Sequence, residues 1–414
     1  MIYINEQFLK IIKSALRGEP LQQLGEITAE EWERILSLAE TQKVLPLVFE
    51  AIYTVPDVKN GDSAAFARSK RMVRYQVMTQ AIKTEEFLQL NEQLKGEGIT
   101  PLVVKGVICR ELYPLPDHRI SSDEDVLIPA QQYEQCHAVL EKLGLCADEV
   151  KRESAAYEVD YRKENSPLYI ELHTHLFPPE SEAYGDLNRF FADVFARAIP
   201  VNIRGKVVHT LEYTDHLFYL ICHAFKHFIH SGFGIRQVCD MVMFANAYGG
   251  RIDWERVYQN CCEIHAEVFV ATIFRIGQKY LGFEPEKAGY PECFREIEPD
   301  ETAMLEDLLS AGIYGGSTMS RKHSSNITLD AVSADKKGKK PAAVVLASVF
   351  PAATKLEARY PYLRKSPWLL PVAWADRILK YRNELKKAAN NKAAEAVQIG
   401  AQRVELLRKY GVIR

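Results

Sequence analysis

The hydrophobic period of the chain switches from helical to strand-like and back. In residues 29–53, AEEWERILSLAETQKVLPLVFEAIY, Trp32, Ile35, Leu36, Leu38 and Ala39 recur at helical intervals, and Val44, Leu45, Leu47 and Val48 follow a polar break; two short helices are predicted. A long proline-free pattern over residues 64–97 is closed by Gly96 and Gly98, helix stop signals. The period then changes. Residues 100–104, TPLVV, form a short β-branched run that suits a buried strand, ended by Lys105-Gly106. A turn or two of helix, VICRELY, runs into the proline-rich YPLPDHR. The next strand, DEDVLI at residues 123–128, is stopped by Pro129. Residues 131–143 are amphipathic with Gly144 as cap, and residues 155–161 and 168–173 alternate as strands. From residue 214 helical spacing returns in TDHLFYLICHAFKHFIH, with Thr214 or Asp215 as N-cap and Leu217, Leu220, Ile221, Ala224 and Phe228 as the apolar stripe. Further helices follow to about Tyr280.

The pattern predicts an α+β protein. An N-terminal helical region covers residues 1–98, a small mixed-sheet α/β core residues 99–212, and a helical domain residues 213–314. Residues 315–341 are rich in Gly, Ser and Lys and read as a flexible linker. Residues 342–414 form a helical module, in which ADRILKYRNELKK and AAEAVQIGAQRVELLRKYG are the candidate helices. No internal repeat is evident.

With 414 residues, 47% hydrophobic and 26% charged, the chain is long enough for a sizeable core. No apolar run approaches the ~18 to 20 residues of a membrane-spanning helix, and Glu6 and Lys10 interrupt the place of a signal peptide's apolar stretch. Eight cysteines without a CxxC pattern read as reduced and mostly buried, so a cytoplasmic location is expected. The net charge of -3 conceals an asymmetry, since residues 321–414 carry 20 Lys and Arg against 7 Asp and Glu. Such a basic module fits an anionic partner, or docks on the acidic remainder of its own chain.

Candidate chemistry concentrates in the core. On a strand, alternate side chains share a face, so Asp123 and Asp125 project together while Glu124 points the other way. Glu171, in LYIELHTH, shares a face with His173 and His175 on another strand. Converging carboxylates repel unless a cation joins them, and hard oxygen donors suit Mg2+ or Mn2+. Three carboxylates on two strands can hold two metals, the arrangement phosphoryl and nucleotidyl transfer require. Gly106 would let a backbone approach phosphate at a helix start, with Lys105 adding a cation.

VVKGVICRELYP, HRISSDEDVLI, YIELHTHLF and DHLFYLICHAFKHF followed by IRQVCDMVMF, in this order, resemble the uncharacterised nucleotidyltransferase family of the DNA polymerase β superfamily. The resemblance implies a nucleotidyltransferase-fold core in which Asp123 and Asp125 bind metal and Glu171 completes a catalytic carboxylate triad. Lys105-Gly106 stands where the superfamily usually has a phosphate-cradling Gly-Ser pair, and Glu124 replaces an apolar residue or glycine. Arg119 would pair with phosphate or with the carboxylates. His173 would ligate metal, orient the acceptor or act as a base, or stand beside the site as a plain hydrogen-bonded histidine. His223, His227 and His230 line one helical stripe beside Lys226; His223 and His227 either face the nucleotide cleft, hold a zinc ion or sit in the domain interface. Arg236 and Asp240 read as a helix-surface ion pair.

The expected function is metal-dependent transfer of a nucleoside monophosphate from an NTP to an acceptor hydroxyl on a small molecule, peptide or protein. The alternative is a catalytically inactive nucleotide-binding or scaffold protein of the same fold. Duplex nucleic acid is not expected as a partner, for lack of a recognition-helix or zinc-finger pattern. A peripheral membrane contact of the basic module is a third reading: Trp368, Leu369, Leu370, Trp374, Ile378 and Leu379 suit either an interfacial anchor or the core of a small helical lobe.

Overall fold

A computed structural model describes residues 3–21, 24–55, 58, 64–154, 156–311, 319–338, 356, 360–364, 366–376 and 392–413. Four helices come first: α1 (Tyr3–Arg17), α2 (Ala29–Thr41), α3 (Leu45–Ile52) and α4 (Ala64–Gly96). The core follows as β1 (Leu102–Val104), α5 (Gly106–Arg110), β2 (Glu124–Leu127), α6 (Tyr133–Lys142), β3 (Leu145–Ala147), β4 (Glu158–Lys163), β5 (Tyr169–His173), β6 (Ile199–Ile203) and β7 (Lys206–Thr210). Then come α7 (Tyr213–His230), α8 (Ile235–Tyr248), α9 (Trp254–Glu263), α10 (Glu267–Ile276), α11 (Thr302–Ala311), α12 (Met319–Lys336) and α13 (Lys392–Lys409). No helix among the described residues is long and apolar enough to cross a membrane.

The seven strands form one mixed sheet in the order β3-β4-β5-β2-β1-β7-β6. β2 pairs antiparallel with β1 and parallel with β5, which sets Asp125 beside Val104 on one side and Glu171 on the other. The β6–β7 hairpin turns at Arg204 and Gly205, both at positive φ as a tight two-residue turn requires, and β7 lies parallel to β1.

Strand alternation gives the sheet two unlike faces. Val103, Val126, Ile170 and Leu172 point to one face and pack with Phe87, Leu88 and Leu94 of α4 and Leu140 of α6. Leu102, Val104 and Leu127 point to the other face and join a larger apolar cluster built from α1, α3 and α7 to α10. The acids at even spacing in β4 and β5, and Asp125 in β2, share this second face.

Several local choices differ from the pattern. α1 buries Phe8, Leu9, Ile11, Ile12 and Leu16, an apolar stripe at helical spacing. α7 begins at Tyr213 because Glu212 reaches forward to accept the N–H groups of Thr214 and Asp215, at 2.8 and 2.9 Å, and acts as its cap. The stretch 315–341, expected as a linker, carries α12, which packs against α7 and α13; Thr328 Oγ1 donates to the His230 carbonyl at 3.0 Å. Basic residues at and after α12 meet acids of the body: Lys336 pairs with Asp186, Lys337 with Glu182, Arg403 with Asp307 and Lys409 with Asp300, at 2.7 to 2.8 Å. Leu369, Leu370 and Trp374 pack around Leu356, Tyr360, Leu363 and Ala373, while Trp368 is exposed. Ile378, Leu379 and most of ADRILKYRNELKK lie outside the described residues.

Candidate active site

The site is organised by β2, whose two acids point in opposite directions. Glu124 is wholly buried on the α4 side, where the equally buried Arg110 guanidinium pairs with Glu124 Oε1. Arg110 also donates to Thr84 Oγ1 at 3.0 Å and to Ser121 Oγ at 2.9 Å. Lys83 Nζ donates to the Ser121 carbonyl at 2.5 Å and lies 3.9 Å from Glu124 Oε1. Glu124 Oε2 accepts the Val107 N–H at 2.9 Å, at the start of α5. Burial would raise the Glu124 pKa, but Arg110 and Lys83 hold it below the usual glutamate value. Burial pulls Lys83 down to about 8 against the attraction of Glu124.

This arrangement explains Gly106. Its φ is +33°, and a Cβ there would collide with Glu124 Oε2. The preceding Lys105 is itself held at φ 55°, a conformation that non-glycine residues avoid, and its N–H donates to His216 Nε2 at 3.3 Å. His216 is buried next to Thr210 Oγ1, 3.2 Å from Nδ1, and burial lowers its pKa to about 3. The N–H groups of Lys105 and Val107 are thus committed within the protein.

On the opposite face the charges are less completely matched. Asp125 and Glu171 stand in register on β2 and β5, with His173 two residues on; one ligand atom from each of the three lies within 4.8 Å of the others. Lys105 Nζ lies 2.8 Å from Asp125 Oδ1 and 3.0 Å from His223 Nε2. His173 Nε2 is 3.4 Å from Asp125 Oδ1 and 3.8 Å from Glu171 Oε2. Next to them, Lys151 bridges Glu158 and Asp160 of β4, at 2.7 and 2.8 Å.

The electrostatics follow from this crowding. Burial pushes the Glu171 carboxyl up to about 7, and Asp125 and Asp123 add repulsion against the opposing pull of His173 and Lys105. Asp125, despite its burial, is held well below the usual carboxylate range by Lys105 and His173. Burial alone would lower His173, yet its carboxylate neighbours raise it to about 9. Burial, reinforced by Lys105, keeps His223 neutral, so its Nε2 accepts from the ammonium.

Of the residues predicted from the sequence, Asp125, Glu171, His173, Lys105 and His223 are brought together here. Asp123 precedes β2, whose pairing begins at Glu124, so no ladder register holds it against Glu171. It accepts from Ser122 Oγ at 3.2 Å and lines a cleft with Lys105, Gly106, Asp125, Arg236 and Gln237. His227 Nε2 lies 3.3 Å from His223 Nε2, but the lone pair a zinc ion would take from His223 is engaged by Lys105. Arg119 is buried and pairs with Asp240 through two contacts of 3.1 and 2.6 Å, with the Tyr113 hydroxyl donating to the same carboxylate at 2.7 Å. Asp240 therefore answers Arg119, not the Arg236 expected from i, i+4 spacing, because it faces the interface with the core. Arg236 donates to the Ile120 carbonyl at 2.5 Å and lines the cleft; its buried Nε has no hydrogen-bond partner among the described residues. His175 follows the end of β5 and is exposed.

Sequence reasoning missed His216 and the cleft roles of Arg236 and Gln237. His216 lies seven residues before His223, a spacing that puts both on one stripe of α7, and that periodicity was its available signal.

The small mixed sheet thus carries paired acids beneath a histidine-bearing helix. The model of the uncharacterised nucleotidyltransferase family matches residues 28–282, more than half of the chain, and the chain belongs to that family. No curated protein and no solved structure is significantly similar to it.

Proposed function

We propose that the protein transfers a nucleoside monophosphate from an NTP to the hydroxyl of a small-molecule, peptide or protein acceptor, with a divalent metal, Mg2+ or Mn2+, at the β2–β5 acids. One juxtaposition carries this: Asp125 and Glu171 stand side by side in register, with ligand atoms close enough to share an ion. When bound, the metal would stabilise charge on the transferring phosphoryl group. Lys105, which neutralises Asp125 at 2.8 Å, supplies a cation that can turn toward phosphate while His223 remains its second acceptor at 3.0 Å. Arg236 adds a second positive charge along the cleft, near Asp123. Glu171 either holds the ion together with Asp125 or, where the ion leaves it free, takes the acceptor's proton as its oxygen attacks the α-phosphorus and pyrophosphate leaves. Arg119, bound to Asp240, would keep the loop before β2 in place for Asp123.

The test is pyrophosphate release and label transfer from NTPs across an acceptor panel, with and without a chelator. Metal-dependent transfer that Asp125→Asn abolishes supports the proposal; full transfer by that variant refutes it. One observation favours a second reading, a catalytically inactive nucleotide-binding or scaffold protein of the same fold: Glu124 and His216 already occupy N–H groups of the turn that cradles phosphate elsewhere in the superfamily, which leaves fewer donors to align a triphosphate for transfer. Tight NTP binding by calorimetry with no pyrophosphate released from any acceptor mixture would select it.

A further inference from the structure

The donor set around Asp125 is not purely carboxylate. His173 is 4% exposed, and both its ring nitrogens are buried without a hydrogen-bond partner among the described residues. Both nitrogens have carboxylates within ion-pair distance but none in hydrogen-bond geometry, and a buried nitrogen so placed gains from a ligand that it can bind directly. Nε2 faces Asp125 Oδ1 and Glu171 Oε2 at 3.4 and 3.8 Å, inside the same group of ligand atoms. Nδ1 faces Glu158 Oε2 at 4.0 Å. Metal-bound histidines direct their second nitrogen to a carboxylate that fixes the tautomer, and Glu158 stands where that partner belongs.

The neighbouring acids do not compete equally. Glu158, Asp160 and Glu171 also bring ligand atoms within 4.8 Å of one another, but Lys151 already neutralises the first two at 2.7 and 2.8 Å. The Lys105 ammonium contacts Asp125 Oδ1 at 2.8 Å and has His223 Nε2 at 3.0 Å to fall back on when an ion takes the carboxylate.

We infer that His173 Nε2 is a direct ligand of the ion held by Asp125 and Glu171, making a two-oxygen, one-nitrogen centre that prefers a first-row transition ion such as Mn2+ over Mg2+. This rests on the metal-dependent reading above and goes further by naming the nitrogen donor and the ion it selects. Imidazole is a better donor to transition ions than to Mg2+, which keeps to oxygen. Glu158 is then a positioning residue acting through the ring.

Pulsed electron paramagnetic resonance on the full chain loaded with Mn2+ alone, without nucleotide, tests this. The wild-type protein should show nitrogen modulation from a directly bound imidazole, and His173→Gln should lose it. By calorimetry the same variant should lose at least about tenfold in Mn2+ affinity, the scale on which even outer partners of a ligand count, and less in Mg2+ affinity. His173→Asp, which offers oxygen instead, should bind Mn2+ without nitrogen modulation and narrow the preference over Mg2+. Bound Mn2+ without nitrogen modulation in the wild type, or modulation that persists in His173→Gln, overturns the inference while metal dependence stands. Failure of the wild type to bind Mn2+ overturns both. Because the decisive signal is read on the wild-type chain, a variant that does not fold leaves the test intact.

Discussion

Glu124 and Asp125 are consecutive residues of β2, yet the two faces they point to are wired differently. Glu124 meets Arg110, Lys83, Ser121 and a backbone N–H, so each carboxylate oxygen has a donor and the surroundings are sealed by α4 and α5. Asp125 meets Lys105 but also faces Glu171 and a histidine whose ring nitrogens make no hydrogen bond among the described residues. A buried charge network that is fully satisfied holds a backbone in place; one that gathers several carboxylates and a histidine within ligand distance of one another can take a ligand. The closed face supports the open one: Glu124 locks the turn at Lys105-Gly106, and that turn delivers the Lys105 ammonium to Asp125.

Breaking each face should give different symptoms in activity. The largest effect is expected from Asp125→Asn, which should reduce transfer by at least about 10^3-fold, since a metal supplies several kcal/mol of charge stabilisation and each 1.36 kcal/mol is a factor of ten. Its urea midpoint should also fall, because the buried Lys105 ammonium loses its carboxylate partner and keeps only His223 as acceptor, so transfer is compared on the folded fraction. Arg110→Met should act on stability, lowering it by about 3 to 5 kcal/mol in chemical denaturation by stranding Glu124 in the interior. Activity at low temperature, measured on the folded fraction, should survive far better than in Asp125→Asn. Gly106→Ala should lower stability by about 1 to 3 kcal/mol, through the strained φ and the collision with Glu124. Since it also displaces Lys105, it should reduce activity, unlike a purely structural change.

The smallest effect is one of sign, read from stability against pH in a chelator. The Glu124 pKa is lowered in the folded protein, so its contribution is full above the unfolded value of about 4.5 and is lost as the pH falls through the folded value below it. Glu171 is raised to about 7, so its contribution is full below about 4.5 and is lost as the pH rises through 7. Glu171→Gln should therefore flatten a stability decline between pH 5 and 8, whereas Glu124→Gln should leave that decline intact and remove a loss below pH 4.5. Identical pH profiles for the two variants would contradict the asymmetry between the faces.

Much of this was legible in the chain. The apolar runs of β1 and β2, the alternation of β5 and the stripe of α7 are local patterns, and period two alone separates Asp125 from Glu124 and aligns Glu171 with His173. The α1 stripe is equally local. The β6–β7 hairpin is short and half-exposed, with Arg204-Gly205 as its turn, so its apolar signal is weak. α12 has a polar, serine-rich sequence whose helical state comes from packing against α7 and α13.

By itself, then, the sequence determined which residue types could meet: strands with acids on one face, a histidine helix, and a glycine able to take a turn that others resist. Tertiary structure alone decided the partners. Arg110 reaches Glu124 across 14 positions, which depends on how α5 packs against β2, and Arg119 reaches Asp240 across 121, which depends on how the core and α8 are brought together. Likewise, Asp125 and Glu171 become neighbours only through the parallel β2–β5 register, a long-range pairing that no local period encodes. Periodicity acts over a few residues and fixes the direction of a side chain, whereas the burial that turns direction into contact is a property of the assembled core.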